Sequence, residues 1–332
     1  MQSAIAPLVS VIVPTHNRPE LLHQALHSLA QQTLANWEAI VVDDGSAPAV
    51  DAMALTRCFG TRVRVLHHHA RRSGAAAKNT GLRCAMGRLI TFLDDDDLLA
   101  PQYLARAADV LDRHRDIDGA FMNVVRFGDP ERVAQSGNER AMTRVLALAA
   151  GAVRDPGVLV FGTGLFDALL HSVPMAFQRV VVRREALLAI GEYEPDCLLW
   201  DCDWALRASV RHRFGLVLEP LYRQRLQGQG TSSQPARRIE HMRSRAEIAD
   251  RLYRRGEFYG LDRAQRRAAL EWAAAAWFDI AYYYGTEVGA PLLALQAWLD
   301  SQRRRPSLQR LKFLARLVRA GFSMRAPDQT VA

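Results

Sequence analysis

The stretch Leu89-Ile-Thr-Phe-Leu-Asp-Asp-Asp-Asp97 joins a short apolar run to four consecutive aspartates. The apolar half is typical of a buried β-strand, which places the aspartates at its carboxyl end. Because side chains alternate along a strand at about 3.3 Å per residue, we expect Asp94 and Asp96 to share one side, roughly 6–7 Å apart. Carboxylates this close repel one another unless a cation joins them. Their oxygens suit Mg²⁺ or Mn²⁺, although the stretch alone is also compatible with a solvated acidic turn.

The first hundred residues alternate between strand and helix patterns. The predicted strands are the apolar, β-branched runs at residues 9–13, 38–42, 62–66 and 89–93. Residues 21–29 and 75–86 have helical spacing instead, and Asn17 is expected to cap the first helix with Pro19 in its first turn. This alternation predicts an α/β fold built on a mainly parallel sheet flanked by helices.

Polar residues follow three of the predicted strands. These residues are Thr15-His-Asn17, Asp43-Asp44 and Asp94 to Asp97. In open α/β sheets, ligands bind beyond the carboxyl ends of parallel strands. We therefore expect these side chains to meet at one edge of the sheet and to form a site there.

Composition narrows the possible partners and the compartment. A formal net charge of +8 and a pI near 9.7 over 332 residues favour anionic partners such as nucleotides, nucleic acid or a membrane surface. Arginines in the late helical region alternate with acids such as Glu240 and Glu247, so no nucleic-acid partner is expected. Four cysteines without C-x-x-C spacing read as free thiols, and the N-terminus lacks a signal-peptide pattern. A cytoplasmic protein is expected.

The first 105 residues contain four motifs in a fixed order. They are Val9-Ser-Val-Ile-Val-Pro-Thr-His-Asn-Arg18, Trp37-Glu-Ala-Ile-Val-Val-Asp-Asp-Gly-Ser46, Gly74-Ala-Ala-Ala-Lys-Asn-Thr-Gly81 and Phe92-Leu-Asp-Asp-Asp-Asp97. Their order and spacing resemble the successive motifs of family 2 glycosyltransferases, enzymes of the GT-A fold that transfer a sugar from a nucleotide donor. The resemblance implies a Rossmann-like half that binds the nucleotide sugar (1–105), a half that binds the acceptor and supplies the general base (106–235), and a helical C-terminal region (236–332).

The resemblance also implies roles for single residues. Asp44 would accept a hydrogen bond from the nucleobase, usually uracil, and Lys78, where the family more often has Arg, would approach the nucleobase or the diphosphate. Asp96 would bind the metal directly, with Asp94 at the other outer position of the D-x-D motif, and Asp95 would reach the ribose. The other residues expected at the nucleotide sugar are Pro14, Thr15, Asn17, Arg18, Asn79 and Arg225.

A weaker similarity in the second half concerns the general base. Trp200-Asp-Cys-Asp-Trp-Ala-Leu-Arg207 resembles the family's E-D-x-D-L-x-x-R, which would make Asp201 the base, with Trp200 in place of the usual Glu. The alternative is that Asp201 caps a helix and that Asp203 pairs with Arg207 one turn later. Gln227 replaces the His of a second family motif, the loop that would bring Arg225 to the diphosphate.

The implied function is a metal-dependent, inverting glycosyltransferase that uses Mg²⁺ or Mn²⁺. It would move a sugar from a nucleotide sugar, with a UDP-sugar favoured, to a hydroxyl of a glycan, a lipid-linked saccharide or a small-molecule acceptor. The alternative is a catalytically degenerate protein that binds nucleotide sugar or glycan, for which Trp200 and Gln227 are the reasons.

The C-terminal segment 308–322 has a basic amphipathic pattern. Leu311, Leu314, Ala315, Val318 and Phe322 share one helical face, and Arg310, Lys312, Arg316 and Arg319 add positive charge. This pattern predicts either peripheral contact with the inner face of a membrane or a helix that packs on the catalytic domain.

Overall fold

The computed structural model describes residues 6–131, 138–226, 235–308 and 310–314. The chain forms two compact units, Met1–Thr231 and Ser232–Ala332. The boundary expected at residue 105 lies inside the first unit and stays a prediction.

The first unit is a sheet with helices around it. Its strands are β1 (Val9–Thr15), β2 (Trp37–Asp43), β3 (Val63–His67), β4 (Leu89–Phe92), β5 (Leu98–Leu99), β6 (Gly119–Gly128), β7 (Ala152–Asp155), β8 (Val158–Val160), β9 (Val180–Arg183) and β10 (Phe214–Leu226). Its helices are α1 (Pro19–Ala30), α2 (Ala52–Phe59), α3 (Gly74–Cys84), α4 (Tyr103–Arg113), α5 (Asn138–Ala149), α6 (Gly164–His171), α7 (Arg184–Ile190) and α8 (Trp200–Arg211).

The strand order is β3-β2-β1-β4-β9-β6-β10-β8-β7, and β5 pairs with β10. The strands β1 to β4 are parallel, as predicted for the first hundred residues. β9 then enters antiparallel between β4 and β6 and makes the sheet mixed. The predicted α/β fold of GT-A type, with helices flanking the sheet, is confirmed.

Close packing holds α3 on the sheet. β1 and β2 are buried along almost their whole length, as their continuous apolar runs predict. A Cβ atom added at Gly81 in α3 would lie 2.4 Å from Cγ2 of Ile12 and 3.3 Å from Cγ2 of Val42. Glycine therefore lets this helix approach the two central strands, and it fixes the position of Lys78 one turn earlier.

The strand β4 ends sooner than expected. It stops at Phe92, and the N–H of Asp97 donates to the carbonyl oxygen of Asp94 at 3.0 Å. The aspartates therefore form a turn, which we call the aspartate turn (Asp94–Asp97), and the extended spacing predicted for Asp94 and Asp96 is wrong.

The capping role predicted for Asn17 is also wrong. Arg18 is the N-cap of α1, and no side chain caps this helix. Asn17 instead adopts a φ of 54°, and its Oδ1 accepts a hydrogen bond from the N–H of Ala47 at 2.8 Å. Asparagine tolerates this left-handed conformation better than most residues, so it serves here to join the loops that follow β1 and β2.

The second unit is helical, as predicted for the C-terminal region. Its helices are α9 (Arg238–Arg254), α10 (Gly256–Tyr259), α11 (Arg263–Tyr283) and α12 (Pro291–Arg304), and residues 310–314 are also helical. Small residues such as Ala276 and Ala297 let these helices pack closely around Ile280, Trp298 and Phe313. Within the described part of the chain, no helix is both long enough and apolar enough to cross a membrane.

Part of the apolar face predicted for 308–322 is used inside this unit. Phe313 is buried, and Leu314 packs against the same core. Leu308 and Leu311 are 83% and 43% exposed, respectively. Residues 315–322 lie outside the described residues.

We predict that Gly81→Ala lowers the free energy of unfolding by about 1–3 kcal/mol, because the new methyl group would force Ile12 or the helix to move. Gly162→Ala is the matched control, since an added Cβ there meets nothing within 4 Å. The control should change stability by less than about 0.5 kcal/mol. Chemical denaturation of both variants measures the difference, and equal stabilities would contradict the close approach of α3.

Candidate active site

The carboxyl ends of β1, β2 and β4 meet at one edge of the sheet, as the sequence predicted. Pro14 and Thr15 end β1, and Thr15 pairs with Asp43 at the end of β2. The hydroxyl of Thr15 donates to Oδ2 of Asp95 at 2.8 Å, which ties β1 to the aspartate turn. The expected convergence of polar residues is therefore present.

Arg18 neutralises the middle of the aspartate turn. Its NH1 lies 3.1 Å from Oδ1 of Asp95 and 3.0 Å from Oδ2 of Asp96. One guanidinium thus lies between two neighbouring carboxylates and limits their repulsion.

The strand β10 holds the other end of the turn. Tyr222 donates its hydroxyl to Oδ2 of Asp97 at 2.9 Å, and the N–H of Arg225 donates to Oδ1 of Asp97 at 2.8 Å. The guanidinium of Arg225 donates from Nε to the carbonyl oxygen of Asp96 at 2.8 Å. Arg225 therefore lies at the turn, and Asp97 anchors β10 there, while the contact of Arg225 with a diphosphate stays a prediction.

Asp44 follows the end of β2 and contacts the loop that follows β3. Its Oδ1 lies 2.7 Å from Nδ1 of His68 and accepts a hydrogen bond from the N–H of Arg72 at 2.9 Å. The other ring nitrogen of His68 lies 2.9 Å from Oγ1 of Thr80. His68 thus supports the carboxylate of Asp44, and the contact of Asp44 with a nucleobase stays a prediction.

Lys78 and Arg179 join the aspartate turn to Asp201. Nζ of Lys78 lies 3.3 Å from Oδ1 of Asp94 and 3.1 Å from Oδ1 of Asp201. NH2 of Arg179 lies 2.9 Å from Oδ2 of Asp94, and NH1 lies 3.7 Å from Oδ2 of Asp201. Both cations contact both carboxylates, so the four groups close a ring of alternating charge. We call these four side chains the charge ring.

Aromatic rings surround the buried ammonium of Lys78. Nζ lies 5.5 Å from the ring centroid of Phe92, 5.5 Å from that of Tyr193 and 5.8 Å from that of Trp200. Ring faces attract a cation, and they also exclude water from its surroundings. Trp200 contributes an aromatic ring to the site at the position where the resemblance implies Glu.

Burial and charge shift the pKa values of the turn in opposite directions. Burial raises the pKa of Asp94, but Lys78 and Arg179 outweigh it and lower the pKa to about 2. Burial raises the pKa of Asp95 to about 6 and that of Asp97 to about 7, and the neighbouring carboxylates add to the rise. Burial, together with the charge of Asp94, also raises the pKa of Asp96. Asp95, Asp96 and Asp97 therefore lose their protons less readily than Asp94 does.

This donor set fits a divalent cation that is completed by substrate. The described residues contain no group of three or more His, Cys, Asp or Glu side chains arranged to hold a metal ion. Mg²⁺ and similar ions, however, often bind one or two carboxylates together with waters and substrate phosphates. Each oxygen of Asp94 contacts a cation, whereas Asp96 pairs with Arg18 through Oδ2. Asp96 is therefore the better direct ligand of the two, and an added cation would favour the ionised forms of the neighbouring carboxylates.

The sequence left open whether Asp201 in α8 is a general base or a helix cap, and it suggested a pair between Asp203 and Arg207. Leu199 is the N-cap, so Asp201 lies inside the first turn and does not cap the helix. Asp203 pairs with Arg207, with 2.9 Å between Oδ2 and Nε, and both side chains are buried away from the charge ring. The pairing predicted for Asp203 is confirmed. The role of Asp201 as general base is not tested by its position alone.

Asn79 follows Lys78 in α3, and its side-chain amide hydrogen-bonds the backbone of Tyr193. Its Nδ2 donates to the carbonyl oxygen of Tyr193 at 2.8 Å, and its Oδ1 accepts from the N–H of the same residue at 2.9 Å. In this arrangement Asn79 holds Tyr193 against Lys78, and a direct contact with the donor stays a prediction.

Sequence reasoning missed Arg179 and Tyr222. Arg179 precedes β9, and only the antiparallel direction of that strand brings its start to the carboxyl end of β4. No motif in the sequence marks this reversal. Tyr222 lies under the guanidinium of Arg179, with 4.8 Å between that group and the ring centroid.

Comparison with known proteins agrees with this geometry. Residues 10–160 match the family model for glycosyl transferase family 2. The chain is 37% identical over 91 residues to the UDP-Glc:alpha-D-GlcNAc-diphosphoundecaprenol beta-1,3-glucosyltransferase WfgD of Escherichia coli, which covers 27% of this chain and 36% of that protein. The match therefore spans about a third of the length of this curated relative.

Two solved structures share the fold. S. aureus TarS 1-349 in complex with UDP-GlcNAc has a TM-score of 0.58 at 17% identity, over 88% of this chain and 79% of TarS 1-349. The mannosyltransferase PcManGT from Pyrobaculum calidifontis, in complex with GDP-Man and Mn²⁺, has a TM-score of 0.51 at 22% identity, over 96% of this chain and 87% of its own. This likeness shows the fold, and the similarity to glycosyl transferase family 2 rests on residues 10–160, which match the family model.

Proposed function

We propose that this protein is a metal-dependent, inverting glycosyltransferase that moves a sugar from a UDP-sugar to a hydroxyl group of a glycan, a lipid-linked saccharide or a small-molecule acceptor. The observation that carries the proposal is the position of Asp201. Nζ of Lys78 lies 3.1 Å from Oδ1 of Asp201 and 3.3 Å from Oδ1 of Asp94 in the aspartate turn. A carboxylate able to act as general base thus lies beside the edge where a donor diphosphate would bind.

The base is needed because a hydroxyl group loses its proton only far above neutral pH. A carboxylate placed beside the attacking oxygen can take that proton during attack, which typically contributes about 10²- to 10⁴-fold in rate. Inversion requires a single displacement and therefore one such group. Asp201 is 15% exposed at its side chain, so an acceptor can reach it.

The donor end requires positive charge for the leaving nucleoside diphosphate. Lys78 and Arg225 both contact the aspartate turn. They would contact the phosphates of the leaving nucleoside diphosphate. A divalent cation held by Asp96, with Asp94 beside it, would supply further electrostatic stabilisation of the leaving group. Asp44 would accept from the nucleobase, and Asp95, with Thr15 and Arg18, would lie below the ribose.

The relatives support this donor and acceptor class without fixing either one. The name of the Escherichia coli relative specifies a UDP-sugar and a lipid-linked saccharide. TarS 1-349 was solved with UDP-GlcNAc, and PcManGT with GDP-Man and Mn²⁺. We therefore place UDP first among the nucleotides and Mg²⁺ or Mn²⁺ at the aspartate turn.

Calorimetric titration of UDP, GDP, TDP and CDP, with Mn²⁺ and with chelator, tests the donor site. We predict that UDP binds only with metal and that Asp96→Ala loses this binding, because the ion that joins the diphosphate to the turn is gone. Asp112→Ala is the control, since this exposed side chain pairs with Arg115 on the surface of the first unit. Binding of no nucleotide to the wild type would contradict the proposal, and equal binding by Asp96→Ala would contradict the metal site.

Asp201→Asn tests the general base. We predict that it retains metal-dependent nucleotide binding and transfers sugar about 10²- to 10⁴-fold more slowly than the wild type, because the amide cannot accept the proton. Release of UDP from the donor sugar that the wild type uses gives the rate. Turnover near that of the wild type would show that another group is the base. Nucleotide-sugar binding by the wild type without any transfer would instead favour the degenerate, binding-only alternative.

Peripheral contact of residues 308–322 with a membrane is a further part of the proposal. Among the described residues of this segment, Leu308 and Leu311 are the exposed leucines, with the basic Lys312 exposed beside them. Co-sedimentation with anionic liposomes should fall when both leucines are replaced by serine. Unchanged co-sedimentation would favour a purely structural helix.

A further inference from the structure

Both oxygens of the candidate base face a cation in the structure. Oδ1 of Asp201 lies 3.1 Å from Nζ of Lys78, and Oδ2 lies 3.7 Å from NH1 of Arg179. An incoming hydroxyl must therefore compete with a cation for each carboxylate oxygen. The general base of the proposed function is therefore held in an unreactive arrangement when no donor is bound.

The same two cations each also contact Asp94 in the aspartate turn, where the proposed function puts the donor diphosphate. Lys78 and Arg179 have side chains that are 2% and 7% exposed, so their ion pairs are little screened by water. An anion that arrives at the turn thus competes directly with Asp201 for them.

Arg179 has hydrogen-bonding capacity left for such an anion. Its Nε is buried and has no hydrogen-bond partner among the described residues. A buried, unpaired donor on a cation is costly, and an oxyanion is the group that satisfies it best. Nε1 of Trp200, on the helix that carries Asp201, is a second buried N–H for which the described part of the chain offers no partner.

We propose that Lys78 and Arg179 mask Asp201 in the donor-free protein and turn to the donor diphosphate when it binds, which frees the base. The inference rests on the proposed function for the role of Asp201, and it makes Arg179 a positioning residue. Donor binding and proton transfer are linked in this way. Asp201 becomes able to accept a proton only when Lys78 and Arg179 pair with the diphosphate instead. An acceptor, or water, that enters before the donor meets a base that is still paired.

Binding is reciprocal, and this gives the test. If Asp201 competes with a diphosphate for the two cations, then removing its charge must strengthen diphosphate binding. Inorganic pyrophosphate, titrated with and without Mg²⁺, is the probe, since it carries the diphosphate and no nucleobase. We expect Asp201→Asn to bind pyrophosphate about 5- to 50-fold more tightly than the wild type.

Asp203→Asn is the matched control. It removes the same charge from the same helix, but its partner Arg207 donates to the carbonyl oxygens of Ile190 and Glu192 and lies outside the charge ring. We expect its pyrophosphate affinity to stay within about twofold of the wild type. The double variant Arg179→Gln/Asp201→Asn removes one cation and one anion of the ring together, and it should lose most of the gain seen in Asp201→Asn.

The outcomes separate this inference from the proposed function. Equal pyrophosphate affinity in Asp201→Asn and wild type overturns the masking, even when the wild type binds UDP. Tighter pyrophosphate binding in Asp201→Asn supports the masking, even when no nucleotide in the panel binds and the donor assignment fails. An equal gain in pyrophosphate affinity in Asp203→Asn would show that the gain comes from the change in net charge alone. That result would also overturn the masking. Thermal melting checks that each variant is folded, and Asp201→Ser serves as a second neutral variant.

Discussion

Four carboxylates lie in one turn after β4, and Arg18, Lys78 and Arg179 reach it from the loop after β1, from α3 and from the start of β9. Like charges held this close in a buried place would force the chain apart or take up protons. The fold prevents this by bringing in cations from three separate segments, and it anchors the turn to β10 through Tyr222. Burial still raises the pKa of Asp97 to about 7, and the charges of Asp94 and Asp96 add to the rise. A divalent cation at the turn would favour the ionised carboxylates.

The positions of the other elements follow from this requirement. Gly81 lets α3 lie close to β1 and β2, so that Lys78 reaches both Asp94 and Asp201. The reversal of β9 turns Arg179 toward the same edge. Phe92, Tyr193 and Trp200 shield the ammonium, so that its charge acts on the carboxylates with little screening. Under the proposed function, donor binding and proton transfer would be joined through shared cations, since a group that would hold the leaving phosphates also contacts Asp201.

The sequence predicted what depends on local pattern. Continuous apolar runs set the parallel strands, and the polar residues that follow them marked the edge where Thr15 and Asp95 meet. Distant contacts could not be predicted in this way. Arg179 enters the site only because an antiparallel strand is inserted, and the exchange of hydrogen bonds between Asn79 and Tyr193 joins residues 114 positions apart. The aspartate turn was missed for a local reason: the apolar run predicts a strand but does not say where the strand stops. The role of Asn17 was also missed. Asparagine often caps a helix, but here its side chain accepts a hydrogen bond from the N–H of Ala47 instead.

A crystal structure with UDP and Mn²⁺ would test the central claim, that one pair of cations serves both the donor and the base. The account predicts anomalous scattering from Mn²⁺ at Asp96, with diphosphate oxygens about 3 Å from Nζ of Lys78 or the guanidinium of Arg179. It also predicts that at least one of their ion pairs with Asp201 opens beyond about 4 Å. A diphosphate bound at the turn while both pairs to Asp201 stay intact would contradict the account, as would a metal bound away from the aspartate turn.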